Sequence, residues 1–167
     1  MTPKRIRNLS ASVAARLLER ARRTGEDYQA LLTAFFCERF LCRLGVSSVR
    51  SRFVLKGAML LRVWSDQPYR ATRDLDLLRH GDAAAEAIRA DIEAICTTAV
   101  DPDGVEFDAG SIRLEAIRPE DEYVGTRMTL IASCGTVRLT FQVDVGVGDP
   151  VWPPRSHTNP RRSDSLP

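Results

Sequence analysis

Two aspartates, Asp74 and Asp76, stand two residues apart in the run Arg73-Asp74-Leu75-Asp76-Leu77-Leu78. In a β-strand, residues i and i+2 share a face, so the pair points one way while Leu75 and Leu77 point into a core. Two such charges, about 7 Å apart, repel by roughly 0.6 kcal/mol in water and about 2.5 kcal/mol at an effective dielectric of 20. Paired carboxylates on an otherwise apolar strand therefore suggest a cation, most simply Mg²⁺. The same pair could instead ion-pair with Arg70 or Arg73. Upstream, Lys56-Gly57-Ala58 follows the apolar run Phe53–Leu55. A glycine there lets backbone N–H groups approach phosphate oxygens, and a lysine can neutralise their charge. Lys56 could equally be no more than an exposed strand end.

The segments KGAMLLRVW and TRDLDLL resemble the AbiEii/AbiGii toxin family of nucleotidyltransferases, within the DNA polymerase beta-like superfamily. That pattern is a glycine turn after a strand, an Asp-x-Asp on the next strand, and a third acidic residue on a later strand. Val143-Asp144-Val145 fits the third position, and the similarity spans about residues 8–152. The resemblance implies a metal-dependent transfer of a nucleotide from a nucleoside triphosphate to an acceptor such as tRNA, in a type IV toxin–antitoxin or phage-defence system. It implies Asp74, Asp76 and Asp144 as catalytic ligands of Mg²⁺ or Mn²⁺, Lys56, Gly57, Ala58 and Arg73 as nucleotide contacts, and an antitoxin as a partner. Ala58 and Met59 depart from the superfamily, which often places a small hydroxylic residue there. Asp144 could alternatively be a solvated strand-edge residue, and Asp149 reads as a loop residue. The rival functional reading is a non-catalytic nucleic-acid-binding or interaction module.

These residues need elements to hold them. Ser10 is a candidate cap for a helix over 11–23, with Val13, Leu17, Leu18 and Ala21 on one face and Gly25 as its stop. Asp27 caps a second helix, in which Tyr28, Leu31, Leu32, Phe35, Phe36, Phe40, Leu41 and Leu44 recur at helical spacing until Gly45. Phe53–Leu55 reads as a strand, 57–64 as a short helix, 73–78 as the aspartate strand and 82–98 as a further helix. Residues 112–117 alternate like a strand. Residues 127–132 and 136–147 read as a hairpin around Ser133-Cys134-Gly135. In its last strand Val137, Leu139, Phe141, Val143 and Val145 take one face and Asp144 the other. The expected fold is α+β: a nucleotidyltransferase-like mixed sheet with N-terminal helices (8–45), a sheet core (50–149) and a domain ending at 152.

Residues 153–167 are rich in Pro, Ser and Arg and read as a disordered tail. The resemblance implies a longer chain, with a later lysine-bearing helix, so a C-terminal truncation is expected. The net charge of +2 conceals a polarity: residues 1–73 hold 15 Lys and Arg against 5 Asp and Glu, and residues 74–149 hold 6 against 16. The basic half could meet phosphate backbones, or the two halves could neutralise each other across the fold. Cys37, Cys42, Cys96 and Cys134 form no Cys-x-x-Cys pair and read as reduced, mostly buried thiols. No apolar run is long enough for a membrane helix and no signal peptide is evident, so a cytoplasmic protein is expected. There is no phosphate-binding Gly-x-x-x-x-Gly-Lys loop and no Gly-x-Ser-x-Gly elbow. The residues after Asp76 do not fit a haloacid-dehalogenase motif, and two leading helices do not suit a metal-dependent glycosyltransferase.

Overall fold

A computed structural model describes residues 8–59, 74–117 and 125–148. The chain opens with two helices. Helix α1, Leu9–Thr24, is capped by Asn8, whose side chain accepts from the Ala11 amide at 3.0 Å. Ser10, the expected cap, instead lies in the first turn, where its backbone carbonyl accepts from the Cys134 thiol at 3.3 Å. Gly25 ends α1 in the left-handed region, its N–H donating to Ala21 O. Asp27 caps helix α2, Tyr28–Val46, by accepting from the Ala30 amide at 2.7 Å. Helix α2 runs through Gly45, the expected stop, because Ser47 supplies the terminus: its N–H and hydroxyl both donate to Leu44 O.

Among the described residues five strands follow: β1 Phe53–Leu55, β2 Leu75–Arg79, β3 Glu106–Ile117, β4 Gly125–Cys134 and β5 Val137–Val147. Helix α3, Ala85–Cys96, lies between β2 and β3 and is shorter than the predicted 82–98. The aspartate strand likewise begins later than predicted, at Leu75, leaving Asp74 in the bend before it. The sheet order is β1-β2-β5-β4-β3. Strands β2 and β5 run parallel and every other neighbouring pair is antiparallel, so the fold is α+β with a mixed sheet. Strand β3 starts six residues before the predicted 112. Its register with β4 shifts between Asp108 and Arg113, where Asp108 accepts from the Gly110 amide and the Ser111 hydroxyl accepts from the Ile131 N–H.

The helices cover one face of the sheet. Leu75, Leu77, Met128, Leu130, Phe141, Val143 and Val145 are fully buried there, against Leu32, Phe36 and Phe40 of α2 and Ile88, Ile92 and Ile95 of α3. The predicted aromatic stripe of α2 is thus core. Phe40 packs on Phe107 and Phe141 with ring centroids 5.4 Å away in each case. Each such side chain contributes about 1.5–3 kcal/mol by leaving water. Two charged clusters tie the helices to the sheet. Arg43 of α2 donates to both carboxylate oxygens of Asp103, at 2.7 and 3.1 Å, and to Val105 O. Asp91 of α3 is held by Arg79 at the end of β2 and by Arg52. Cys37, Cys96 and Cys134 are buried while Cys42 is exposed, and burial pushes the Cys96 thiol up to about 12. Among the described residues no helix is long and apolar enough to cross a membrane.

Candidate active site

The face of the sheet opposite the core carries a row of charged residues. Parallel pairing of β2 with β5 sets Asp76 directly beside Asp144. Antiparallel pairing of β5 with β4 sets Asp144 beside Arg127, and β4 with β3 sets Arg127 beside Glu115. The row therefore reads Asp76, Asp144, Arg127, Glu115 across four strands, with neighbouring backbones about 4.8 Å apart. Asp74 lies one step along from Asp76 and is joined to the row by Gln142. The amide nitrogen of Gln142 is 3.4 Å from Asp74 Oδ2 and 3.3 Å from Asp144 Oδ1, donating to both.

Local sequence explains why these side chains face away from the core. In β5, Phe141, Val143 and Val145 are buried, so Gln142 and Asp144 alternate to the other side. In β2 the buried pair Leu75 and Leu77 forces Asp76 outward in the same way. Strand β1 closes the edge: the Lys56 N–H donates to Asp76 O at 2.9 Å. The chain then turns at Gly57, with φ +67°, and residues 57–59 are helical. A Cβ at Gly57 would overlap the Asp76 carboxylate, coming within 2.8 Å of its Cγ. The turn thus packs against Asp76 so closely that only glycine leaves the carboxylate in place.

The electrostatics follow from this crowding. Burial, reinforced by the neighbouring charges of Asp74 and Asp144, raises the pKa of Asp76 above its ordinary value; Lys56 and Arg127 oppose the rise. Arg127 donates from Nε to Asp144 Oδ1 at 3.0 Å and from Nη2 to Oδ2 at 2.7 Å, and this pairing raises the Arg127 pKa. Both oxygens of Asp144 are therefore engaged. As the side chains stand, no three His, Cys, Asp or Glu groups among the described residues are arranged to hold a metal ion. The donor chemistry nevertheless suits a hard divalent cation, since Asp74, Asp76 and Asp144 offer only carboxylate oxygens from adjacent positions.

Of the residues singled out from sequence, Asp74, Asp76, Asp144, Lys56, Gly57 and Ala58 fall in one neighbourhood. Arg73 and Asp149, and with them residues 153–167, lie outside the described residues. Arg127 and Gln142 were not anticipated. Their signal was present in the polar positions that alternate with apolar ones in β4 and β5, but it becomes legible only once the hairpin register is known.

A family model described as nucleotidyl transferase AbiEii toxin, type IV toxin–antitoxin system, matches residues 39–167. The chain belongs to this AbiEii family. The match takes in the Lys56-Gly57 turn, Asp74, Asp76 and Asp144. No curated protein matches the chain. Among solved structures it is similar to a candidate nucleotidyltransferase from H. pylori, with a TM-score of 0.47, 15% identity, and coverage of 72% of this chain and 46% of the other. It is also similar to JHP933 from Helicobacter pylori, with a TM-score of 0.46, 15% identity, and coverage of 72% and 45%. This AbiEii-family chain spans less than half the length of either structure.

Proposed function

We propose that the chain transfers a nucleotidyl group from a nucleoside triphosphate to a hydroxyl acceptor, with the 3′ end of a tRNA as the acceptor class, as the toxin of a cytoplasmic type IV toxin–antitoxin pair. The observation that carries this reading is the registered pair Asp76–Asp144, joined through Gln142 to Asp74 and roofed by the Lys56-Gly57 turn. Family membership supports the reaction class. Asp74, Asp76 and Asp144 would hold Mg²⁺ or Mn²⁺. Such an ion, when bound, supplies charge stabilisation at the reacting phosphate and acidifies the attacking hydroxyl.

The chain's own groups then divide the remaining work. Backbone N–H groups at Gly57 and Ala58, with Lys56 and Arg73, would bind the triphosphate, where the absence of a Cβ at Gly57 keeps the approach open. The acceptor oxygen forms a bond to the α-phosphorus as the bond to the bridging oxygen breaks. Pyrophosphate leaves, and the acceptor proton passes to a carboxylate of the row. The raised pKa of Asp76 comes from burial first and from the charges of Asp74 and Asp144 next, and a carboxylate perturbed in this way supports a functional site. The test incubates the purified chain with labelled nucleoside triphosphates, Mg²⁺ and total tRNA. Labelling should fall by about 10²-fold or more in Asp76→Ala. Labelling that survives this substitution would overturn the site. Salt-sensitive RNA binding without any turnover would support the interaction-module reading instead.

A further inference from the structure

We propose that Arg127 is a displaceable counter-ion: it holds Asp144 in the metal-free protein and passes to the phosphates of the nucleotide when a divalent cation takes Asp144. The proposal rests on the nucleotidyl-transfer reading above and adds to it a switch residue on β4.

The geometry sets the guanidinium and a cation in competition for Asp144. The guanidinium occupies both carboxylate oxygens of Asp144 in a fork. A cation that draws on Asp144 competes with the guanidinium for the same carboxylate, most directly at Oδ1, which already accepts from both Arg127 Nε and Gln142. Gln142 cannot take over as counter-charge, because its amide is neutral and already lies between Asp74 and Asp144. The arginine is also placed to leave. Its side chain is 42% exposed against 16% for Asp144, so its outer edge meets solvent while the carboxylate is sheltered. Glu115, exposed and in register on its other side, keeps a negative partner within reach of the guanidinium once Asp144 is given up.

The destination follows from charge and shape. On this face Lys56 and Arg127 are the cations that act on Asp76, and Asp74, Asp76, Asp144 and Glu115 are the anions around them. A nucleotide bringing its own negative charge to such a face needs cations besides the metal. A planar guanidinium fork matches phosphate oxygens bidentately as it matches a carboxylate. Arg127 is one strand from Asp144 and two from Asp76, within reach of phosphates lying over the carboxylates. Metal alone must then bind against Arg127, whereas metal with nucleotide binds with its help. The two ligands become cooperative through one side chain.

A displaceable Arg127 gives effects of opposite sign, which a purely structural arginine would not. Mn²⁺ binding is followed by electron paramagnetic resonance, with and without a non-hydrolysable nucleoside triphosphate analogue, for the full chain and for Arg127→Gln, Arg127→Lys and Asp76→Ala. Arg127→Gln should bind Mn²⁺ alone about two- to fivefold more tightly, because a partly exposed ion pair no longer competes. It should bind the Mn²⁺–nucleotide complex about tenfold or more weakly. Arg127→Lys, which keeps the charge and loses the fork, should weaken the nucleotide complex less, and it carries the test if the glutamine variant fails to fold. Two affinities that move in the same direction, or that both stay at wild-type values, overturn the proposal. If the wild type binds Mn²⁺ and Asp76→Ala abolishes it while Arg127 variants change nothing, the site reading survives and the switch fails. If no variant binds Mn²⁺ under either condition, both fail.

Discussion

Replacing Gly57 by alanine should damage the protein in two separable ways. The backbone at Gly57 sits at φ +67°, a left-handed conformation that costs an L-residue about 1–2 kcal/mol. The new Cβ would also overlap the Asp76 carboxylate, so that side chain must leave its rotamer or shift, at about 0.5–1.5 kcal/mol more. Together these give a loss of about 1.5–3.5 kcal/mol, which for a chain of this size lowers the melting temperature by roughly 3–14 °C. Urea denaturation of Gly57→Ala, Asp76→Ala and the double variant separates the two parts. Removing the carboxylate relieves the overlap with its oxygen and Cγ and leaves the backbone strain, with the residue-76 Cβ still 3.0 Å away. In the Asp76→Ala background the glycine substitution should therefore cost only about 1–2 kcal/mol, leaving a coupling of about 0.5–1.5 kcal/mol between the sites. A Gly57→Ala protein as stable as wild type would refute the strained-turn argument. An equal cost in both backgrounds would refute the contact between turn and carboxylate.

Asp76 carries a pH signature of its own. Its folded-state pKa is raised by burial first and by Asp74 and Asp144 next, so the ionised group opposes folding above that raised value, and the opposition fades as pH falls toward the ordinary value of 3.8. Asp76→Asn should accordingly be more stable than wild type at pH 7, with a gap that closes on acidification; thermal melts across that range would expose an absent or widening gap. On the other side of the sheet, Arg79→Met should cost about 3–5 kcal/mol in chemical denaturation, toward the lower end because Arg52 still reaches Asp91, a carboxylate buried to 3% exposure. A loss under 1 kcal/mol would mean that Arg52 and nearby polar groups suffice.

The parts of this molecule that were legible in its sequence are those with a local period. The apolar stripes of α1 and α2, the Asp27 cap, the alternation of β5 and the outward face of Asp76 each arise within one segment, and each is where the pattern put it. Local patterns failed where a competing partner decided the outcome. Ser47 outbid Gly45 for the end of α2, and Asn8 outbid Ser10 for the start of α1. The first half of β3 was missed because side chains of Asp108 and Ser111 replace ladder bonds there and break the alternation.

The arginine at the site was hidden for a related reason. A hairpin built around Ser133-Cys134-Gly135 sets Arg127 opposite Phe141, on the wrong face for any role beside Asp144. The actual turn is the two residues Gly135–Thr136, which pairs Cys134 with Val137 and so carries Arg127 to Asp144. A register change of a few positions in a turn thus decides whether a strand arginine meets an apolar ring or a carboxylate. Sequence motifs identified the acidic residues because their type and spacing are unusual in a strand. The cation that balances them is an ordinary arginine in an ordinary strand, and only the parallel β2–β5 pairing together with the β4–β5 turn brings it into line. The row Asp76, Asp144, Arg127, Glu115 is assembled by pairings between strands, the Asp76–Asp144 one between distant segments, so its chemistry belongs to the sheet and not to any one stretch of chain.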